Sequence, residues 1–220
     1  MTHLSDRINR LSESQTIAMA RKSRELIAHG IDIISLSLGE PDFPTPDVIK
    51  SAAKKAIDEN FSYYTHVSGY LELRQAIAAK FKRDNGLIYA PDQIVVSTGA
   101  KQSIANAVLS LVNPGDEVLV PMPYWVSYVE VIKLAEGIPV IIPTTMETNF
   151  KVSPEQLKAA ITPKTRLLML STPCNPTGTV YTKDELSAIA EVIAAQPECY
   201  IISDEIYEHI NFIGGHESMA

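Results

Sequence analysis

Short apolar runs alternate with helical patterns between residues 93 and 203, and this alternation constrains the fold more than any other feature. Gln93–Ser97, Glu117–Val120, Ile138–Ile142, Arg166–Leu170 and Tyr200–Ser203 have the length and branched apolar content of strands. Between them lie helical patterns. Ala100–Val112 brings Ile104, Val108 and Leu111 to one side, and Trp125–Ala135 follows the next strand. Ser153 with Gln156, and Thr182 with Glu185, have the spacing of capping boxes, in which each partner satisfies a free N–H of the first helical turn. Asn113-Pro-Gly-Asp116 is a turn. Strands that alternate with helices build βαβ units, so the predicted fold is α/β. It is a three-layer sandwich with a mostly parallel sheet and helices on both faces.

Upstream, Ile33–Leu38 reads as a further strand ending at Gly39, and Pro41, Pro44 and Pro46 mark an extended loop. Thr45 is the expected N-cap of a helix with Pro46 at its first position and Ile49, Ala53 and Ile57 on one face. A second helix is expected from about Tyr70 to Asn85, with Leu73, Ile77 and Phe81 on one face and Gly86 as its stop. The first thirty-odd residues read as an arm with one helix ending at Gly30.

Composition narrows the function classes. The 220 residues suffice for a core without metal or disulfide staples, and 45% hydrophobic with 20% charged content is ordinary for a globular chain. Acidic residues (26) exceed basic ones (19), giving a net charge of −7, which opposes non-specific nucleic-acid binding but not a local anion site. Cys174 and Cys199 are the only cysteines, too few for a disulfide framework or a four-cysteine zinc site, and no metal is expected. Met1–Leu11 lacks the apolar core of a signal peptide, and no apolar stretch is long enough to cross a bilayer. A soluble, cytoplasmic protein with no membrane partner is the expectation.

In parallel sheets, ligands sit outside the carboxyl ends of the strands. Thr98-Gly-Ala-Lys101 follows one strand: the glycine turn into a helix N-terminus suits a phosphate, and equally suits a plain strand-to-helix turn. Ser171-Thr-Pro-Cys-Asn-Pro-Thr-Gly178 follows another, where Asn175 either faces a ligand or makes an Asx turn. Cys174 in that loop reads as a small buried residue, since no histidine is indicated beside it to activate a thiol. Asp204-Glu-Ile-Tyr207 follows Tyr200–Ser203, and Asp204 either meets a cation or caps a helix. Trp125, after Pro121-Met-Pro-Tyr124, is either a core plug or a stacking platform. Together these residues suit a flat aromatic cation carrying a phosphate, and pyridoxal phosphate is such a molecule.

The chain resembles the class I, fold-type I pyridoxal-phosphate-dependent aminotransferases, most closely the bacterial aspartate aminotransferase subgroup. The likeness is carried by Ser37-Leu-Gly-Glu-Pro-Asp-Phe-Pro-Thr-Pro46, Tyr63-Tyr-Thr65 with Gly69 and Leu73-Arg74, Thr98-Gly-Ala-Lys101, Asn113-Pro-Gly-Asp116, Pro123-Tyr-Trp125, Asn175-Pro-Thr-Gly178 and Asp204-Glu-Ile-Tyr207. The resemblance implies that Asp204 pairs with the pyridinium nitrogen and that Tyr207 and Asn175 bond the ring's phenolic oxygen. It implies that Trp125 stacks on the ring and that the backbone at Ala100 and Lys101 binds the phosphate. Tyr64 would reach the phosphate of a neighbouring subunit's cofactor, which implies a homodimer with shared sites. Gly39, beside Trp125 and Asn175, would meet the substrate carboxylate, and Lys101 and Thr16 are associated with acidic substrates.

The resemblance further implies residues 1–45 as an N-terminal arm with part of a small domain, and 46–220 as a large cofactor-binding domain incomplete at its C-terminus. The implied activity is transamination between an amino acid, L-aspartate in the first instance, and a 2-oxo acid. Two departures stand out. His66 replaces a proline common in relatives, and the sequence has no lysine after Lys183, whereas the family's Schiff-base lysine lies downstream of the Asp204 motif. The alternatives are an aromatic, prephenate or broad-specificity aminotransferase, or a non-catalytic module that binds pyridoxal phosphate or dimerises.

Overall fold

The computed structural model describes residues 4–36, 38–39 and 41–220. Eight α-helices appear among them: α1 (Asp6–Asn9), α2 (Gln15–Ala28), α3 (Asp47–Asp58), α4 (Leu71–Lys80), α5 (Ala100–Leu111), α6 (Ser127–Leu134), α7 (Pro154–Ala160) and α8 (Lys183–Ala194). Four strands complete the set: β1 (Glu117–Met122), β2 (Ile138–Pro143), β3 (Thr165–Ser171) and β4 (Tyr200–Asp204). All three pairings are parallel, and the order is β2-β1-β3-β4.

Side chains of a strand point alternately to opposite faces, so each strand here feeds two cores. Val118, Val120, Leu167 and Met169 pack with Ile104 and Val108 of α5 and with Tyr128 and Ile132 of α6. Leu119, Leu168 and Leu170 face the other way, onto Leu157 of α7 and Leu186, Ile189 and Ile193 of α8. The sheet is therefore the middle of three layers, as predicted. Truncating a buried residue such as Leu168 to alanine costs about 2–5 kcal/mol, because the cavity adds to the lost transfer energy. Both predicted capping boxes form: Ser153 accepts from the Gln156 N–H at 3.2 Å and Thr182 from that of Glu185 at 3.3 Å.

Five expectations need correction. The described part of Ile33–Leu38 is not a strand: it has no pairing partner, and Ile34 and Leu36 are 87% and 88% exposed. Gln93–Ser97 is not a strand either. Pro91–Gln93 is a 3-10 turn, and the extended residues beyond it make one backbone bond across, from the Val96 N–H to the Ser68 carbonyl at 3.0 Å. Helix α3 begins at Asp47 with Pro46 as its cap in extended geometry, so Thr45 lies one residue too early. The helix predicted to Asn85 is α-helical only to Lys80 and widens into a π-turn over Phe81–Asn85, while Gly86 stops it at φ +70° as expected. The arm holds two helices rather than one, and Gly30 follows the second at φ +78°. It is tied to α6 and the turn after it by the Ser12 N–H on Glu130 at 2.8 Å and by Arg10 on Glu136 at 3.3 Å.

Candidate active site

The chain leaves β1 toward β2 on one side and returns to β3 on the other, so the loops after β1 and β3 diverge at a topological switch point. Ligand crevices of open α/β sheets form at such points. The loop after β1 carries Trp125 and the loop after β3 carries Asn175. Cys174 Sγ lies 3.7 Å from the Pro123 carbonyl, linking the two loops. The Thr172 N–H donates to the Asp204 carbonyl at 3.1 Å and brings the end of β4 alongside.

Helix α5 contributes its N-terminus. Gly99 at φ +89° turns the extended chain directly into the helix, a conformation that a side chain would strain. Its carbonyl accepts the N–H groups of Gln102 and Ser103, whereas those of Ala100 and Lys101 take no partner among the described residues. Two unpaired donors at the positive end of a helix suit a phosphate.

Three predicted site residues are joined by side-chain contact. Lys101 Nζ sits 5.0 Å from the centre of the Trp125 ring. Trp125 meets Tyr128 edge-on, with ring centres 5.7 Å apart. The Tyr128 hydroxyl donates to Asp204 Oδ2 at 2.6 Å. Lys101, Trp125 and Asp204 thus form one line across α5, the β1 loop and the end of β4, with Tyr128 as the link. Tyr128 was not among the predicted residues. The signal for it was present: it lies four residues before Ile132 on the buried face of α6, and a tyrosine there needs a partner for its hydroxyl. Burial first, then the hydrogen bond to the Asp204 carboxylate, pushes the Tyr128 phenol well above its ordinary pKa, so it stays a donor.

Asp204 also caps the turn that follows it, its Oδ1 accepting from the Ile206 N–H at 3.3 Å; no helix follows. Asn175 and Tyr207 line one cavity of about 340 Å³. No Asx turn holds Asn175, because its side chain makes no hydrogen bond among the described residues. Trp125 is half-buried and precedes α6, its face shared with Lys101 rather than sealed in the core.

Three predicted residues lie apart from this line. Gly39 is exposed, Thr16 is half-buried on α2, and Tyr64 is fully exposed. No described hydrogen bond or ring contact joins them to Asp204 or Trp125. Ser37 and Glu40 of the first sequence landmark lie outside the described residues. Among the described residues no group of histidine, cysteine, aspartate and glutamate is arranged to hold a metal ion, and no helix is long and apolar enough to cross a membrane.

An open helix N-terminus at α5, an aromatic face on the β1 loop and a carboxylate at the end of β4 fit a flat, phosphorylated, nitrogen-protonated ring. The fold and these residues define an α/β protein with a candidate site for a phosphorylated ring. The chain belongs to the aminotransferase class I and II family, whose model matches residues 31–217. This family uses pyridoxal phosphate. The chain is 53% identical over 212 residues to an aspartate/prephenate aminotransferase of Cereibacter sphaeroides, covering 96% of this chain and 53% of that protein. It is 50% identical over 218 residues to a bifunctional aspartate aminotransferase and glutamate/aspartate-prephenate aminotransferase of Petunia hybrida, covering 99% and 46%. The solved aspartate aminotransferase of Thermus thermophilus with maleate superposes with a TM-score of 0.96 at 42% identity, covering 100% of this chain and 57% of that one. The chain thus spans about half the length of the curated relatives it matches.

Proposed function

We propose that the full-length protein carrying this chain is a pyridoxal-phosphate-dependent aminotransferase that moves an amino group between L-aspartate and a 2-oxo acid. The observation that carries the reading is the continuous line Lys101–Trp125–Tyr128–Asp204 beside the unpaired N–H groups of Ala100 and Lys101. When bound, pyridoxal phosphate supplies a sink for the electron pair left on the substrate's α-carbon. Asp204 holds the proton on the ring nitrogen. Tyr207 and Asn175 donate to the ring's phenolic oxygen, and Trp125 covers one ring face. The Ala100 and Lys101 N–H groups bind the phosphate, as does Tyr64 of a neighbouring subunit in a homodimer.

The substrate residues are taken from the resemblance to the family, since among the described residues Gly39 and Thr16 make no contact with this line. Gly39, with Trp125 and Asn175, receives the α-carboxylate side of the amino acid. The Lys101 ammonium and Thr16 receive the distal carboxylate that distinguishes aspartate from neutral amino acids. Residues 1–45 act as an arm with part of a small domain, and 46–220 as the cofactor domain. The group that carries the α-proton is assigned to the part of the enzyme beyond this chain. The cytoplasm, where amino and oxo acids are exchanged, is the proposed location.

Prephenate is the second acceptor to consider, because the Cereibacter and Petunia relatives are named as acting on both aspartate and prephenate. The test is to assay the purified full-length protein with pyridoxal phosphate and L-aspartate, against 2-oxoglutarate and prephenate in parallel. Amino transfer to either supports the reading, and the ratio fixes the acceptor. Absence of transfer with a correctly loaded cofactor refutes it.

A further inference from the structure

We infer that Tyr128 is a positioning residue for this reaction: its hydroxyl holds the Asp204 carboxylate in one orientation as the partner of the cofactor's ring nitrogen. The inference rests on the function proposed above and adds a residue that no sequence motif marks.

Four observations converge on it. The Tyr128 hydroxyl lies 2.6 Å from Asp204 Oδ2, the length of a strong hydrogen bond to an ionised acceptor. Among the described residues the other oxygen, Oδ1, takes the Ile206 N–H alone, at 3.3 Å and from an exposed turn. Tyr128 is therefore the short, rigid half of the carboxylate's support. Its ring is 2% exposed and packs with Val108, Val120, Ile132 and Met169, so the hydroxyl has little room to swing away. The same ring meets Trp125 edge-on, so one side chain braces both the stacking residue and the acidic one.

A filler role explains less. Phenylalanine would occupy the same space, and a buried hydroxyl is costly unless paired. Asp204 is the side-chain acceptor of this hydroxyl at 2.6 Å, with the Ser171 hydroxyl also beside it. The Asp204 carboxylate in turn needs a fixed donor to keep its orientation, and Tyr128, whose phenol burial keeps protonated, supplies one.

The experiment is a double-mutant cycle in the full-length protein with Tyr128→Phe, Asp204→Asn and the pair. Two quantities are read: the dissociation constant for pyridoxal phosphate by equilibrium dialysis of the apoenzyme, and turnover with aspartate. Tyr128→Phe alone is expected to weaken cofactor binding and slow turnover by about tenfold to a hundredfold, the worth of a hydrogen bond to a charged group. In the Asp204→Asn background the same change is expected to cost less than about twofold, because the charge it served is gone. Ile132→Val, a packing change in the same cluster, is the control and should leave the dissociation constant unchanged.

Equal losses in both backgrounds, or an equal loss from Ile132→Val, would make Tyr128 a packing residue and overturn the inference. An unchanged dissociation constant in Tyr128→Phe overturns it as well, while leaving the proposed function intact. If Asp204→Asn itself changes neither quantity, the role of Asp204 fails, and the inference fails with it.

Discussion

Replacing Asp204 by alanine in the full-length enzyme tests the proposed chemistry most directly. Two separate losses follow from the structure. The first is at the site: a partly buried carboxylate that pairs with a cationic ring contributes roughly 2–5 kcal/mol when its partner depends on it. At about 1.4 kcal/mol per factor of ten, turnover should fall roughly thirtyfold to several thousandfold. The second loss is in the fold. Tyr128 is 2% exposed and its hydroxyl would lose the acceptor now 2.6 Å away, leaving a buried donor unpaired at a cost of about 1–3 kcal/mol. The variant should therefore melt earlier as well as turn over slowly. Adding Tyr128→Phe should restore part of the melting temperature without restoring turnover, since it removes the orphaned hydroxyl and not the missing charge. Turnover is followed by coupling oxaloacetate release to its reduction, and melting by calorimetry of the apoenzyme, so that cofactor loss does not confound stability. An Asp204→Ala enzyme within a factor of two of its parent in turnover would refute the assignment.

Other consequences are open to direct measurement. Lys101→Ala, which removes the ammonium 5.0 Å from the Trp125 ring, should lower kcat/KM for aspartate far more than for an aromatic amino acid; equal losses would assign the side chain to the phosphate instead. Gly69→Ala should destabilise the fold by about 1–3 kcal/mol in chemical denaturation, because the backbone is at φ +94° and a Cβ would lie 2.9 Å from Val96; an unchanged midpoint refutes this. Glu185 is held below the usual carboxylate range: partial burial opposes this, but Lys151 at 2.6 Å and the Thr182 N–H and hydroxyl outweigh it. Its contribution is therefore present above the ordinary carboxylate range and lost as pH falls through the lowered value, so Glu185→Gln, which keeps the capping box, should flatten the acid limb of the stability curve. The 220-residue chain produced alone should self-associate and transaminate nothing, since among the described residues β4 is bonded on one side only and Phe212 is 92% exposed. A monodisperse 24.1 kDa species that turns over aspartate would overturn that expectation.

Much of the architecture was legible because it depends on local rules that agree with one another. Val118–Val120 and Leu167–Leu170 are short runs apolar at successive positions, the pattern of a strand covered on both faces, and helices cover both faces here. The capping boxes at Ser153 and Thr182 announced α7 and α8 at their first residues. In the site, Lys101, Trp125 and Asp204 were each identifiable by their place at a strand end, yet none of those readings said how they meet. The link is Tyr128, which is far from Asp204 in sequence and looks like one more member of an apolar helix face. Its function lies in a hydroxyl at the rim of the core, and sequence periodicity does not distinguish that hydroxyl from a phenylalanine ring edge.

The two strands that did not form share a cause. A strand is defined by its neighbours: the N–H and C=O groups of an extended segment need a ladder. Val118–Val120 has β2 on one side and β3 on the other, so its pattern is realised. Ile94–Ser97 has the same kind of sequence but faces a different surrounding. Ile94 is buried and Val95 is exposed, the alternation of a half-covered strand, while the crossing backbone contact is with Ser68 alone. A cavity of about 330 Å³ separates this segment from the outer edge of β4, lined by Phe81, Leu87, Ile94 and Ser203 among others. Extended geometry at Ile94, with φ −116° and ψ 130°, is already in place without a partner. The local sequence thus determines the conformation of that segment, and its pairing depends on what occupies the space beside β4. That distinction also bears on the site, because the same segment delivers Gly99 and the N-terminus of α5, where the phosphate is proposed to bind. Among the described residues its one backbone bond across the gap, Val96 to Ser68, anchors the approach to the Gly99 turn.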